Sequence, residues 1–197
     1  MNKITSGILG LVMSVSLVTA VAYAAFSDTV TVSGMQITTG GANLRIQGNF
    51  NGSYGTVEDA LNLGNTGLQT LSPGQSDWAH FRLHNTSTDN FALALSAQLM
   101  SAGSEWENLK DWVRVDIYEL DPTDDTTRVG SAVAGGTLAQ WNTGSVPWTS
   151  ADSIAQGANR DYHAVFTLLP DAPNSASGKV LSDIVFDIVG TQVVVVP

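Results

Sequence analysis

The stretch Ser76-Asp77-Trp78-Ala79-His80-Phe81-Arg82-Leu83-His84-Asn85 changes character at every step. Phe81 and Leu83 fall on one parity, and Trp78, His80, Arg82 and His84 on the other. That period of two is the mark of a strand with one buried face. The turn Ser72-Pro73-Gly74 precedes it, with Pro and Gly presetting the turn dihedrals. Downstream, Phe91, Leu93 and Leu95 repeat the alternation, and Val113, Val115 and Ile117 alternate with Arg114 and Asp116. Asp161–Leu169 and Leu181–Val189 read as the last strands; the latter should bury Ile184, Phe186 and Ile188 and turn Asp183 and Asp187 to water. Leu44 and Ile46 open a short strand ahead of Asn49–Gly55, which is polar and reads as a surface loop. Many short strands between turn signals predict an all-β fold, a jelly-roll-like antiparallel β-sandwich.

One or two short helices belong in its connections. Glu105–Trp112 has Trp106, Leu109 and Trp112 or Val113 at helical spacing, with Ser104 placed to cap it, and Leu138–Trp141 offers a single turn. The loop Asp121–Thr127 and the small, polar segment Gly130–Gly157 carry no clear period. Neither an internal repeat nor a linker divides the chain.

With 197 residues the chain can bury a sizeable core, and with no Cys it must do so without disulfides. The net charge is −10, from 18 acidic and 8 basic residues, so a nucleic-acid backbone would be repelled. Abundant turn-forming residues and only three lysines (Lys3, Lys110 and Lys179) suit a sandwich better than a helical bundle.

Met1-Asn2-Lys3 is a short positive start, Ile8–Val21 is apolar and uncharged, and Ala22-Tyr23-Ala24 places small residues where a signal peptidase reads them. Residues 1–24 therefore read as a cleavable signal peptide, with cleavage between Ala24 and Ala25 and only a transient stay in the membrane. A retained anchor is the alternative, since Ile4–Phe26 is long enough to span a bilayer. Either way the body of the protein works outside the cytoplasm. Residues 25–34 form an extended strand in which Phe26, Val30 and Val32 share a parity opposite Ser27, Thr29 and Thr31, with Asp28 the exception. At Gly34 the phase flips to Met35 and Ile37, which reads as a bulge or hinge. Residues 35–197 form the sandwich domain.

Signals for chemistry are sparse. His80 and His84 have the helical spacing of a zinc pair, but on a strand they lie about 13 Å apart. Zinc–nitrogen bonds are about 2 Å, so the two cannot share an ion. His163 sits on another strand and reads as a face residue. No serine occupies a nucleophile elbow and no Gly-rich loop precedes a helix. Asp121, Asp124 and Asp125 cluster in one loop as weak calcium candidates, off the EF-hand spacing. Asn51-Gly52-Ser53 and Asn85-Thr86-Ser87 fit the glycosylation sequon. These observations point to a non-enzyme without a cofactor or metal.

The junction Tyr23-Ala24-Ala25-Phe26-Ser27-Asp28 resembles that of the TasA/camelysin family, whose precursors are cut by a SipW-type signal peptidase. Two further motifs follow in the family's order. One is Leu71-Ser72-Pro73-Gly74 ahead of an alternating strand and a turn at Asn85. The other is Asn174–Lys179 leading into a strand that closes on Gly190-Thr191-Gln192, where family members commonly have Ala-Thr-Gln. Residues 100–160 match no family motif. The resemblance implies a secreted jelly-roll subunit that polymerises with copies of itself into biofilm-matrix fibres or pili. Phe26, Val30 and Val32 would then complete a neighbour's sheet by donor-strand complementation, hinged at Gly34. An edge strand packed on its own subunit gives the same pattern. Two rivals stay open: a camelysin-like secreted metalloprotease, for which this chain lacks an HExxH helix, and a monomeric surface adhesin or carbohydrate-binding sandwich using Trp141 and Trp148.

Overall fold

Alternating burial along Ser76–Asn85 sets the architecture, because Phe81 and Leu83 point into the space between two sheets. The structure, a computed structural model, describes residues 27–33, 42–50, 53–58, 71–88, 90–102, 105–149, 153–179 and 184–193. Its strands are β1 (Ser27–Ser33), β2 (Leu44–Phe50), β3 (Ser53–Tyr54), β4 (Ser76–Asn85) and β5 (Ala92–Ala102). They continue with β6 (Val113–Asp121), β7 (Asp124–Thr137), β8 (Val146–Pro147), β9 (Asn159–Leu168) and β10 (Ile184–Val193). Two short helices, α1 (Trp106–Leu109) and α2 (Leu138–Trp141), lie in connections.

The sheets run β1-β10-β5-β8 and β3-β2-β4-β9-β6-β7, and every pairing is antiparallel. The chain changes sheet at β1 to β2, β4 to β5, β5 to β6, β7 to β8, β8 to β9 and β9 to β10. Four strands in the order β4-β9-β6-β7 facing four in the order β1-β10-β5-β8 make a jelly roll, with the β2–β3 hairpin added beside β4. Leu44, Ile46, Phe81, Leu83, Leu93, Leu99, Val113, Val115, Tyr162, Phe166, Ile184 and Phe186 are among the side chains filling the space between the sheets. Ahead of β4, the amide of Gln75 bonds the Ser72 carbonyl at 2.9 Å and Gly74 takes φ +82°, a type II turn whose third residue favours Gly.

The structure departs from the sequence expectations in four places. Helix α1 ends at Leu109, because Val113 is drawn into a strand register opposite Leu168; Glu105 precedes α1 without a side-chain cap, and Ser104 lies outside the described residues. Of the expected loop Asp121–Thr127, Asp121 ends β6 and only residues 122 and 123 form a turn; Asp124–Thr127 and the first part of the unassigned segment are one strand, β7. Its glycines hid it. A Cβ at Gly135 would lie 2.0 Å from Asp116 Oδ1, so the Asp116 side chain laid over this position favours the residue that erases the alternation. The expected surface loop Asn49–Gly55 is instead the end of the β2–β3 hairpin. Finally, Asp187 is buried rather than turned to water, while Asp183 lies outside the described residues.

Candidate functional site

The N-terminal strand lies at one edge of the smaller sheet. β1 pairs with β10 along its whole length, from Ser27 opposite Thr191 to Ser33 opposite Val185. Val30 stands opposite Ile188 and Val32 opposite Phe186. Directly opposed residues share a face of the sheet, and Ile188 and Phe186 are both core residues. On its other side β10 is held by β5, with a register shift between Val185 and Phe186. Further along, a Cβ at Gly190 would meet Leu93 at 3.2 Å and Leu44 at 3.4 Å, so β10 brings the two sheets close at that point. Of the sequence-predicted polymerisation residues, Phe26 and Gly34 lie outside the described residues, as do Ala22, Ala24 and Ala25 of the signal junction.

A second constellation covers the outer face of the larger sheet. Register places Arg82 opposite Asp161 and His80 opposite His163 across β4 and β9. Arg82 grips Asp161 with two parallel bonds, Nε to Oδ1 at 2.7 Å and Nη2 to Oδ2 at 2.8 Å, and its guanidinium lies 3.8 Å over the Tyr54 ring. The Tyr54 hydroxyl donates to Asp161 Oδ1 at 2.6 Å and lies 3.1 Å from His80 Nε2. Burial pushes the Asp161 carboxyl up, but the bonds from Arg82 and Tyr54 and the charge of Arg82 outweigh it and hold it below the usual carboxylate range. His84 sits nearby, its Nε2 3.1 Å from Gln47 Oε1. The Gln47 amide donates to the Gly55 carbonyl at 2.6 Å, which leaves its oxygen to accept from His84.

His163 is the odd member. Both ring nitrogens are buried without a hydrogen-bond partner among the described residues. Trp78 packs edge-on to it at 4.7 Å and itself remains 57% exposed. Desolvation first, then the charges of Arg128 and His80, push the His163 imidazole down to about 4. Beside this cluster lies a groove of about 350 Å³ bordered by Arg82, Asp161, Glu119 and Arg160. Arg160 there is ion-paired with Glu119.

The expected solvated face of β4 is thus partly wrong: His80 is buried under Tyr54, a residue no periodicity singled out. His80 and His84 do lie on a strand, four residues apart. Trp141 and Trp148 are core residues rather than exposed stacking platforms, at 0% and 7% exposure. Asn85 is fully buried with its amide committed to two carbonyls, so its sequon is closed in the folded state; Asn51 lies outside the described residues. Asp121 and Asp124 spend their carboxylates on the β6–β7 turn, accepting from Thr123 and from Thr126 and Thr127; the Asp125 side chain lies outside the description. Among the described residues, no three His, Asp or Glu side chains converge on one metal-sized point.

No protein-family model, curated protein sequence or solved structure matches this chain.

Proposed function

We propose that this protein is a secreted structural subunit of an extracellular biofilm-matrix fibre or pilus, with no catalytic role, assembling by exchange of β1 between copies. The observation that carries this reading is the place of β1. It is a terminal strand at a sheet edge, hydrogen-bonded along seven residues to β10. The same register can be filled by β1 of a neighbouring copy, because strand addition needs only a matching edge and pockets for alternate side chains. The likeness of the signal junction and of the Leu71–Gly74 and Gly190–Gln192 motifs to the TasA/camelysin family supports the same reading.

Val30→Asp with Val32→Asp tests it. Each apolar side chain contributes roughly 1.5–3 kcal/mol when fully buried, and unpaired charges at positions opposite Ile188 and Phe186 are strongly unfavourable. Electron microscopy should show fibres from the mature wild-type protein and none from the double variant, which stays soluble and largely folded. A synthetic peptide covering 25–34 should bind the variant and cap it as a monomer. Fibres from the double variant, or a variant that unfolds as a monomer, would overturn the exchange.

A ligand-binding reading draws on a different observation, the exposed Trp78 on the outer face of the larger sheet. A wild-type protein that stays monomeric and binds insoluble polysaccharide through Trp78 would favour it over the fibre.

A further inference from the structure

We propose that the outer face of the larger sheet binds an anionic, uronic-acid polysaccharide along a strip of Trp78, His163, Tyr118 and Arg128. The inference rests on the ligand-binding reading of Trp78 and needs no exchange of β1. Register and packing make the strip continuous across β4, β9, β6 and β7, which are neighbours in that order. The Trp78 ring meets His163 edge-on at 4.7 Å, His163 stands opposite Tyr118, and the Arg128 guanidinium lies 4.4 Å over the Tyr118 ring. Four strands spaced about 4.8 Å apart span about 14 Å, room for a short run of sugars rather than one. Trp78 is 57% exposed at one end of the strip, and Arg128 is exposed at the other.

Charge sets the class of ligand. Although the net charge is −10, all the arginines of the chain (Arg45, Arg82, Arg114, Arg128 and Arg160) lie on strands of the larger sheet. On the outward parity of β4, β9 and β6 the carboxylates are Asp161 and Asp116. Each is matched, Asp161 by Arg82 at 2.7 Å and Asp116 by Arg114 at 2.8 Å. Arg128 has no carboxylate partner among the described residues, so its charge is the one left over. His163 adds none at neutral pH, because desolvation first, then the charges of Arg128 and His80, push its imidazole down to about 4. An exposed guanidinium is matched by a carboxylate, which it can hold with two parallel bonds. The indole of Trp78 offers a flat apolar surface to the C–H face of a sugar ring. A uronic acid carries both features on one ring. A phosphodiester chain, with its denser charge, is repelled by the rest of the molecule.

The test is calorimetry on tag-free mature protein at neutral pH in chelating buffer, with oligogalacturonate and its fully methyl-esterified form as probes. The acid should bind and shift tryptophan emission. The ester should bind about tenfold more weakly, since it lacks the charge-assisted bond. Arg128→Gln should weaken the acid about tenfold and leave the ester unchanged. Trp78→Ala should weaken both probes and remove the emission change. Both side chains are exposed, so circular dichroism of either variant should match wild type. His84→Gln, on the same face but away from the strip, should bind like wild type. Equal affinity for acid and ester would overturn the anionic site while leaving the ligand-binding reading of Trp78 in place, and no binding of either probe would remove both. Unchanged affinity for the acid in Arg128→Gln would also overturn the site. So would loss of self-association in that variant without any binding of the acid, which would mark the face as a contact between copies.

Discussion

Asn85 ends β4 and ties the two sheets together at one corner. Its Nδ2 donates to the carbonyls of Phe91 at 3.0 Å and Ile154 at 2.9 Å, and its Oδ1 accepts from the Ser87 amide at 3.2 Å. Ile154 in turn exchanges two backbone bonds with Leu93 of β5. Asn85→Asp keeps the shape but replaces both donated protons with an oxygen facing two carbonyls. Leaving buried acceptors unpaired costs about 1–3 kcal/mol each, so urea denaturation should show a loss on the order of 3 kcal/mol with an unchanged slope. A loss within the scatter of surface substitutions would remove Asn85 from this role. His84 gives the same face a dependence on pH. Burial first, then the charge of Arg82, lowers its proton affinity against a weaker pull from Asp161. The unfolded chain takes up a proton near pH 6.5 where the folded chain does not, so stability falls as pH drops through about 6.5. Thermal melts from about pH 7.5 to 5 should show a smaller drop for His84→Gln than for wild type. An equal drop in both would place the acid sensitivity elsewhere.

The four-residue helix α2 works as a plug. Thr137 caps it by accepting from the Gln140 amide, while the Gln140 side chain accepts from the Thr137 amide, a reciprocal capping box. That closes a turn otherwise too short to stand alone, and it sets Leu138 and Trp141 fully inside. Trp141 donates Nε1–H to the Val115 carbonyl at 3.1 Å and meets Phe186 edge-on at 5.5 Å. Trp141→Ala should cost about 3–5 kcal/mol, read as a lower midpoint in chemical denaturation. A stable variant that loses only sugar binding would restore the surface role the sequence suggested. The position of this turn was legible in the chain, but its burial was not, since a tryptophan in a polar segment reads equally as platform or plug. Strands β4, β6, β9 and β10 were legible because each has one apolar parity. β7 was hidden by Gly135 and Gly136, whose lack of a side chain is what the packing requires. The outer-face site was half legible: alternation put His80 and His163 on outward parities, but only pairing register sets them opposite each other. No single-strand pattern carries register.

At the scale of the whole molecule, the jelly-roll winding lays the first described strand against the last, so Ser27 and Thr191 are neighbours. The chain before Ser27 and the chain after Val193 therefore leave from the same end of the β1–β10 pair. Tension between the two ends of one subunit opens this pair like a zipper, loading its rungs in turn and never together. Under the proposed exchange, the same strand donated to a neighbouring copy would meet a different geometry, because its own body would pull from the Ser33 end along the strand axis while the neighbour's β5 anchored β10. All seven opposed pairs would carry that load at once, in shear. A pairing that yields easily within one subunit would then be a strong fastening along the axis of the proposed filament.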